Sequence, residues 1–143
     1  MILGLGNDLT DINRIERLFR KFPVRFQQTL FTQEECVYAL KHRFPATAFA
    51  KRFAAKEACA KALGVGLKVL GAKTTDGVLW KEIEVRLYSS GQPHLHLTGM
   101  ALECLRALAP PRATPVVHVS LSDQYPYAFA TVILSTTFSE REE

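Results

Sequence analysis

Three residues far apart in the chain have types and settings that suit chemistry on a charged substrate: Asp8, Glu57 and Lys61. Asp8 closes "MILGLGND", an apolar run whose glycines let a backbone approach closely. Glu57 and Lys61 stand one helical turn apart in "RFAAKEACAKALG". Two readings of them are open. Asp8 makes a turn or a cap, and Glu57 pairs with Lys61 for about 0.2–0.5 kcal/mol. Alternatively, the two acids converge. Carboxylates about 4 Å apart repel by roughly 4 kcal/mol at an effective dielectric of 20, so a proton, an Arg or Lys, or a divalent cation must offset them. Two carboxylates with water and phosphate oxygens suit Mg²⁺, which prefers hard oxygen ligands. Arg52, Lys56 and Lys61 would then hold the phosphates.

A third element is "HVSLS", where His118, Ser120 and Ser122 project from one side of an alternating segment. One imidazole and two hydroxyls can bind phosphate or relay a proton; they also suit a solvated strand face. Other chemistries fit poorly. No GxSxG is present, and His118 and Ser120 share a strand, which disfavours a Ser-His-Asp hydrolase. His94 and His96 share a face without a third zinc ligand. "GLGND" lacks the GK[ST] ending of a phosphate-binding loop.

The elements that must position these residues follow from the same sequence. "MILGLGNDL" reads as a strand. Asp11 can cap a helix over 12–21, with Ile12, Ile15, Leu18, Phe19 and Phe22 at helical spacing and Arg14, Arg17, Arg20 and Lys21 on the other face. "TQEE", residues 32–35, has the form of a capping box and predicts a short helix to about Arg43. The clearest helix runs from 46 to 63, Ala-rich and stopped by Gly64. On it Phe49, Phe53 and Ala60 form an inward stripe, with Glu57 on one shoulder and Arg52 and Lys56 on the other. Residues 65–77 read as a loop. "EIEVRLY" and "HLHLT" form a hairpin around "SSGQP", with Ile83, Val85 and Leu87 on the apolar face. "MALECLRALA" is a short helix ended by Pro110. "VVHVSLS" alternates, and the nearly continuous apolar "YAFATVILS" suits a central strand. The fold class is therefore α+β, a small antiparallel sheet packed with helices, in one domain over 1–143.

Composition limits the function classes. The 143 residues are 48% apolar and 22% charged, with a net charge of +4, so the chain is globular and favours anionic partners. Cys36, Cys59 and Cys104 are odd in number, widely spaced and without CxxC, which suits small core residues in a reducing compartment. No run reaches the roughly 18 apolar residues of a membrane span, and no leader pattern opens the chain, so a soluble cytoplasmic protein is expected. The tail "SEREE" is expected to fray.

"GLGNDLTDINRIE", "RFAAKEACAKALGVG" and "HVSLSD" with "YAFATVI" together resemble the bacterial holo-[acyl-carrier-protein] synthases, the small class of 4′-phosphopantetheinyl transferases. The resemblance covers nearly the whole chain. It implies transfer of phosphopantetheine from coenzyme A to a serine of an acyl carrier protein, releasing adenosine 3′,5′-bisphosphate in support of fatty acid biosynthesis. Asp8 and Glu57 match the family's Mg²⁺ ligands. Lys61 matches its phosphate lysine, Gly64 and Gly66 would let the backbone pass the nucleotide, and His118, with Ser120 beside it, matches a histidine near coenzyme A. The resemblance also implies a homotrimer with sites between subunits, where Asp8 and His118 would meet Glu57 and Lys61 across an interface. Arg14, Arg17, Arg20, Lys21 and Arg25 would dock the acidic carrier, Arg14 foremost because it is nearest Asp8. One departure is Asp123, where the family commonly has a second histidine. A catalytically weak carrier-binding module is the competing reading, supported only by Asp123. A nucleic-acid binder is disfavoured, because Phe49 and Phe53 fall on the core stripe.

Overall fold

A computed structural model describes residues 1–68 and 77–138. The tail 139–143 and most of the expected 65–77 loop lie outside the described residues. In chain order the elements are β1 (Ile2–Asp11), α1 (Ile12–Lys21), α2 (Pro23–Leu30), α3 (Gln33–Lys41), α4 (Pro45–Leu63), a 3₁₀ turn (Trp80–Glu82), β2 (Ile83–Leu87), β3 (Pro93–Leu97), α5 (Gly99–Leu108), β4 (Ala113–Gln124) and β5 (Tyr127–Phe138). The strands form two antiparallel sheets, β1-β5-β4 and β2-β3. The apolar β5 is central in the larger one, as its composition predicts.

Local signals explain most boundaries. Asp11 accepts from Asn13 N and starts α1. Thr32 and Glu35 complete the capping box of α3. Pro45 opens α4, and Gly64, at φ 73°, ends it in the left-handed conformation. The sequence reading has no counterpart for α2. Its signal is weak, a Pro in the first turn and a buried pair one turn apart, Phe26 and Leu30.

Helix α4 is the organising element. Its C-terminal half packs against the sheet, the β2-β3 hairpin and α5 through Ala54, Ala58, Cys59 and Ala62. Its N-terminal half sits in an aromatic cluster with α1, α2 and α3, where Phe49 contacts Phe19, Phe26 and Phe31 at ring separations of 5.3, 5.3 and 4.9 Å. The two glycines of β1 let strand and helix backbones touch. A Cβ at Gly4 would stand 2.1 Å from Ala62 O, and one at Gly6 2.0 Å from Ala58 O. Gly6→Ala therefore forces backbone apart from backbone and should cost at least about 2 kcal/mol, read as a lower urea midpoint at unchanged slope.

The hairpin departs from simple alternation. Glu84, expected on the polar face, is buried, and Leu87 is exposed. Arg86 Nε donates to the Glu84 carboxylate, and Thr32 and Arg86 hold that carboxyl below its usual range against the opposing effect of burial. All three cysteines are free, with Cys59 fully buried and its thiol pushed up to about 12 by that burial.

Candidate functional site

The β1–α4 packing fixes where Asp8 goes. Gly4 lies against Ala62 and Gly6 against Ala58, so the strand advances two residues as the helix retreats four. These steps match, at about 6.6 Å and about 6 Å. The next step carries Asp8 alongside the turn 54–57. Alternation puts Asp8 on the α4 side of the sheet, in register with buried Ala130.

Lys61 Nζ donates to Asn7 O at 2.9 Å and Asp8 Oδ1 at 3.3 Å. Thr10 Oγ1 donates to Asp8 Oδ2 at 2.7 Å. The half-buried Glu57 carboxyl is raised above its ordinary value, first by burial and then by the negative charge of Asp8, while Lys61 and Arg14 oppose the rise. Asp8, Glu57, Lys61 and Arg14 thus form one electrostatic cluster. The simple i,i+4 pairing of Glu57 with Lys61 is not what forms, because the lysine reaches across to the strand.

Several expected residues lie elsewhere. Arg52 and Lys56, expected on the shoulder of α4 at the phosphates, are buried, 4% and 0% exposed. Lys56 Nζ donates to Glu35 Oε1 at 2.8 Å, Trp80 O at 3.0 Å and Ile83 O at 2.5 Å, so all three of its N–H groups serve the core. Arg52 precedes Glu57 by five residues, about 140° around the helix axis, and lies over the Tyr38 ring at 4.1 Å. The reason is that α4 is buried on nearly every side, so its shoulder is interior.

His118 and Ser120 also stand apart from Asp8. Leu121 and Asp8 are both registered with Ala130 and share the α4 face, which puts His118, Ser120 and Ser122 on the opposite face. There His118 Nε2 and Ser135 Oγ share a hydrogen bond of 2.8 Å. This corrects the expected grouping: Asp8 meets Lys61 within one chain, and His118 is the residue set apart. The same face exposes Leu5 and Leu9, both more than 60% accessible, together with Phe129.

Gly64 and Gly66 follow α4 with exposed backbone, one turn beyond Lys61. Arg14, Arg17, Arg20, Lys21 and Arg25 are all exposed on α1 and α2, with Arg20 held by Glu16 at 2.7 Å. Asp123 pairs with Lys51 at 3.0 Å in the wall of a 680 Å³ cleft that also includes Glu16, Arg43 and Thr47; none of Asp8, Glu57 and Lys61 lines it. Sequence reasoning missed two supporting residues. Thr10 had a readable signal, a hydroxyl two residues from Asp8 on one strand face. Glu35 was legible as a cap and not as the buried partner of Lys56.

Among the described residues no group of three or more His, Cys, Asp or Glu gathers as a metal site. The donor set of Asp8 and Glu57 is two hard oxygens of like charge, near enough for one to disfavour ionisation of the other. That set fits a hard divalent cation completed by waters and phosphate oxygens.

A family model described as the 4′-phosphopantetheinyl transferase superfamily matches residues 4–130. The chain is 46% identical over 134 residues to a holo-[acyl-carrier-protein] synthase of Roseobacter denitrificans, covering 94% of this chain and 95% of that one. A crystal structure of such a synthase from Neisseria meningitidis superposes with a TM-score of 0.75 at 32% identity, over 94% of this chain and 99% of that one. Another, from Bacillus anthracis in complex with CoA (3′,5′-ADP), superposes with a TM-score of 0.71 at 30% identity, over 96% and 99%.

Proposed function

Because the chain belongs to the 4′-phosphopantetheinyl transferase superfamily, we propose that it moves the phosphopantetheine arm of coenzyme A onto a serine of apo acyl carrier protein. The products are holo carrier protein and adenosine 3′,5′-bisphosphate, and the carrier then serves fatty acid biosynthesis in the cytoplasm. The observation that carries this reading is the cluster of Asp8, Glu57 and Lys61. It supplies two anionic oxygens and a cation at one place, which is what a diphosphate donor and its metal require.

Asp8 and Glu57 would hold Mg²⁺. When bound, the ion would offset their mutual repulsion and stabilise charge developing on the donor's phosphates. Thr10 donates to one Asp8 oxygen and Lys61 to the other, which orients the carboxylate. The Lys61 side chain is 55% exposed, so it also presents positive charge to a phosphate arriving from solvent. Gly64 and Gly66 leave the adjoining backbone open to the nucleotide.

The partly apolar face of β1-β5-β4 supports a homotrimer. Covering Leu5, Leu9 and Phe129 with a neighbouring subunit would remove exposed apolar area, worth roughly 25 cal/mol per Å². The same packing would bring His118 and Ser120 of one subunit toward the cluster of the next, completing the site between subunits.

The acidic carrier protein would dock on α1 and α2. Arg17→Glu is the cleaner test of docking than Arg14→Glu, because the charge of Arg14 also acts on Glu57. Arg17→Glu should raise KM for the carrier about tenfold at low salt, leave KM for coenzyme A unchanged, and lose its effect as salt increases. An unchanged carrier KM at low salt would remove α1 from the docking surface.

The reading is tested by incubating the protein with coenzyme A, apo carrier and Mg²⁺ and weighing the intact carrier. The expected result is a gain of one phosphopantetheinyl group, dependent on the divalent ion. No gain, with carrier still bound, would leave a carrier-binding module in place of an enzyme.

A further inference from the structure

Lys61 faces two demands that conflict. Its ammonium donates to Asp8 Oδ1 at 3.3 Å and to Asn7 O at 2.9 Å, so it lies against the carboxylate that would also hold a divalent ion. The other charges at this place are Glu57, whose carboxyl feels Asp8, Lys61 and Arg14 together, and Arg14 itself. A metal on an Asp8 oxygen would stand close to an ammonium hydrogen-bonded to the same group. Like charges at such separations repel even where solvent screens them.

The two donors to Asp8 differ in how easily they yield. Thr10, which donates to Oδ2 at 2.7 Å, is neutral and 4% exposed, so it neither leaves nor opposes a metal. Lys61 has a long side chain, 55% exposed, and water can take over its bond to Asn7 O. We propose that Lys61 competes with the divalent ion for Asp8 and gives way when the diphosphate of coenzyme A draws its ammonium off the carboxylate. The side chain is then a counter-ion to the two acids in one state and a phosphate ligand in the other, and metal and donor bind cooperatively through it. A lysine that only held phosphates would leave affinity for the ion alone untouched. One that preorganised Asp8 would raise that affinity, whereas competition lowers it. This role presupposes the transferase reading.

Mn²⁺ serves as the probe in place of Mg²⁺, because both take oxygen ligands and free Mn²⁺ is counted by its electron paramagnetic resonance signal. The whole protein is titrated at constant ionic strength, without carrier, in the presence and absence of coenzyme A. The ion that coenzyme A binds in solution is subtracted from a protein-free titration. Lys61→Gln should bind the ion alone about fivefold more tightly than the unaltered protein, the gain from removing a nearby positive charge. Lys61→Arg, which keeps the charge, should stay within about twofold of the unaltered protein. Coenzyme A should tighten binding of the ion by a several-fold larger factor in the unaltered protein than in Lys61→Gln. The exposed position keeps the fold intact, which the thermal transition of each variant checks. Affinity for the ion alone that falls or stays level in Lys61→Gln would overturn the competition and leave the metal site standing; so would equal coupling to coenzyme A in both proteins. Binding that is absent throughout, or indifferent to Glu57→Gln, would overturn the metal assignment itself and the competition with it.

Discussion

Replacing Glu57 with glutamine should lower the rate of carrier modification by about 10³-fold while leaving the fold intact. The loss follows from removing one of two anionic oxygens at the proposed metal position, where charge stabilisation of several kcal/mol is at stake and about 4 kcal/mol corresponds to 10³ in rate. The survival of the fold follows from the direction of the carboxyl's displacement. Burial and Asp8 raise Glu57, so its ionised form is disfavoured in the folded protein relative to the unfolded chain. A neutral side chain of the same shape removes that penalty, and the thermal midpoint should stay level or rise slightly. Initial rates by intact mass across a range of Mg²⁺, with melting curves on the same samples, check both halves. A variant with full rate at every Mg²⁺ concentration would sink the metal assignment.

Lys56→Met is the complementary case, aimed at stability. Lys56 and Glu35 are both fully buried and bonded at 2.8 Å. Burial pulls the lysine below its ordinary value, while Glu35 pushes it back up. Removing the lysine strands a buried carboxylate and two backbone carbonyls, at a cost of about 3–5 kcal/mol in urea unfolding. The double variant Lys56→Met with Glu35→Gln should recover much of this, since no uncompensated charge is left. It should not recover all of it, because Glu35 also caps α3 and accepts from Val85 N. A single-variant cost below about 1 kcal/mol would mean that the site relaxes or admits water to the stranded acid.

The legible parts of this structure are those set by neighbours in sequence. Pro45 and Gly64 bracket α4, the "TQEE" box starts α3, and the unbroken apolar character of β5 gives its central place. Alternation also groups His118, Ser120 and Ser122 correctly on one face. What it cannot supply is which face that is relative to Asp8. That depends on Asp8 and Leu121 both registering with Ala130, the first of them across a pairing of strands more than a hundred residues apart. Arg52 and Lys56 illustrate a different blind spot. Helical periodicity supposes one wet face, and α4 has almost none. Its many alanines are buried all round yet add little hydrophobic contrast, so two interior cations read as flanking ones. Glu35 was half legible for a related reason: a cap is a local motif, and a salt bridge to a residue 21 positions away is not.

The order of strands carries a consequence for how the protein is made. Among the described elements β1 leaves the ribosome first, and the strand it must pair with, β5, leaves last. Until Tyr127 and its successors emerge, the opening segment has α4 for its glycines to lie against but no strand to pair with. The aromatic half around Phe49 can consolidate earlier, from α1 to α4 alone. Nascent chains released before β5 should therefore be partly compact and chemically inert, with competence arriving only when the final strand slots between the other two.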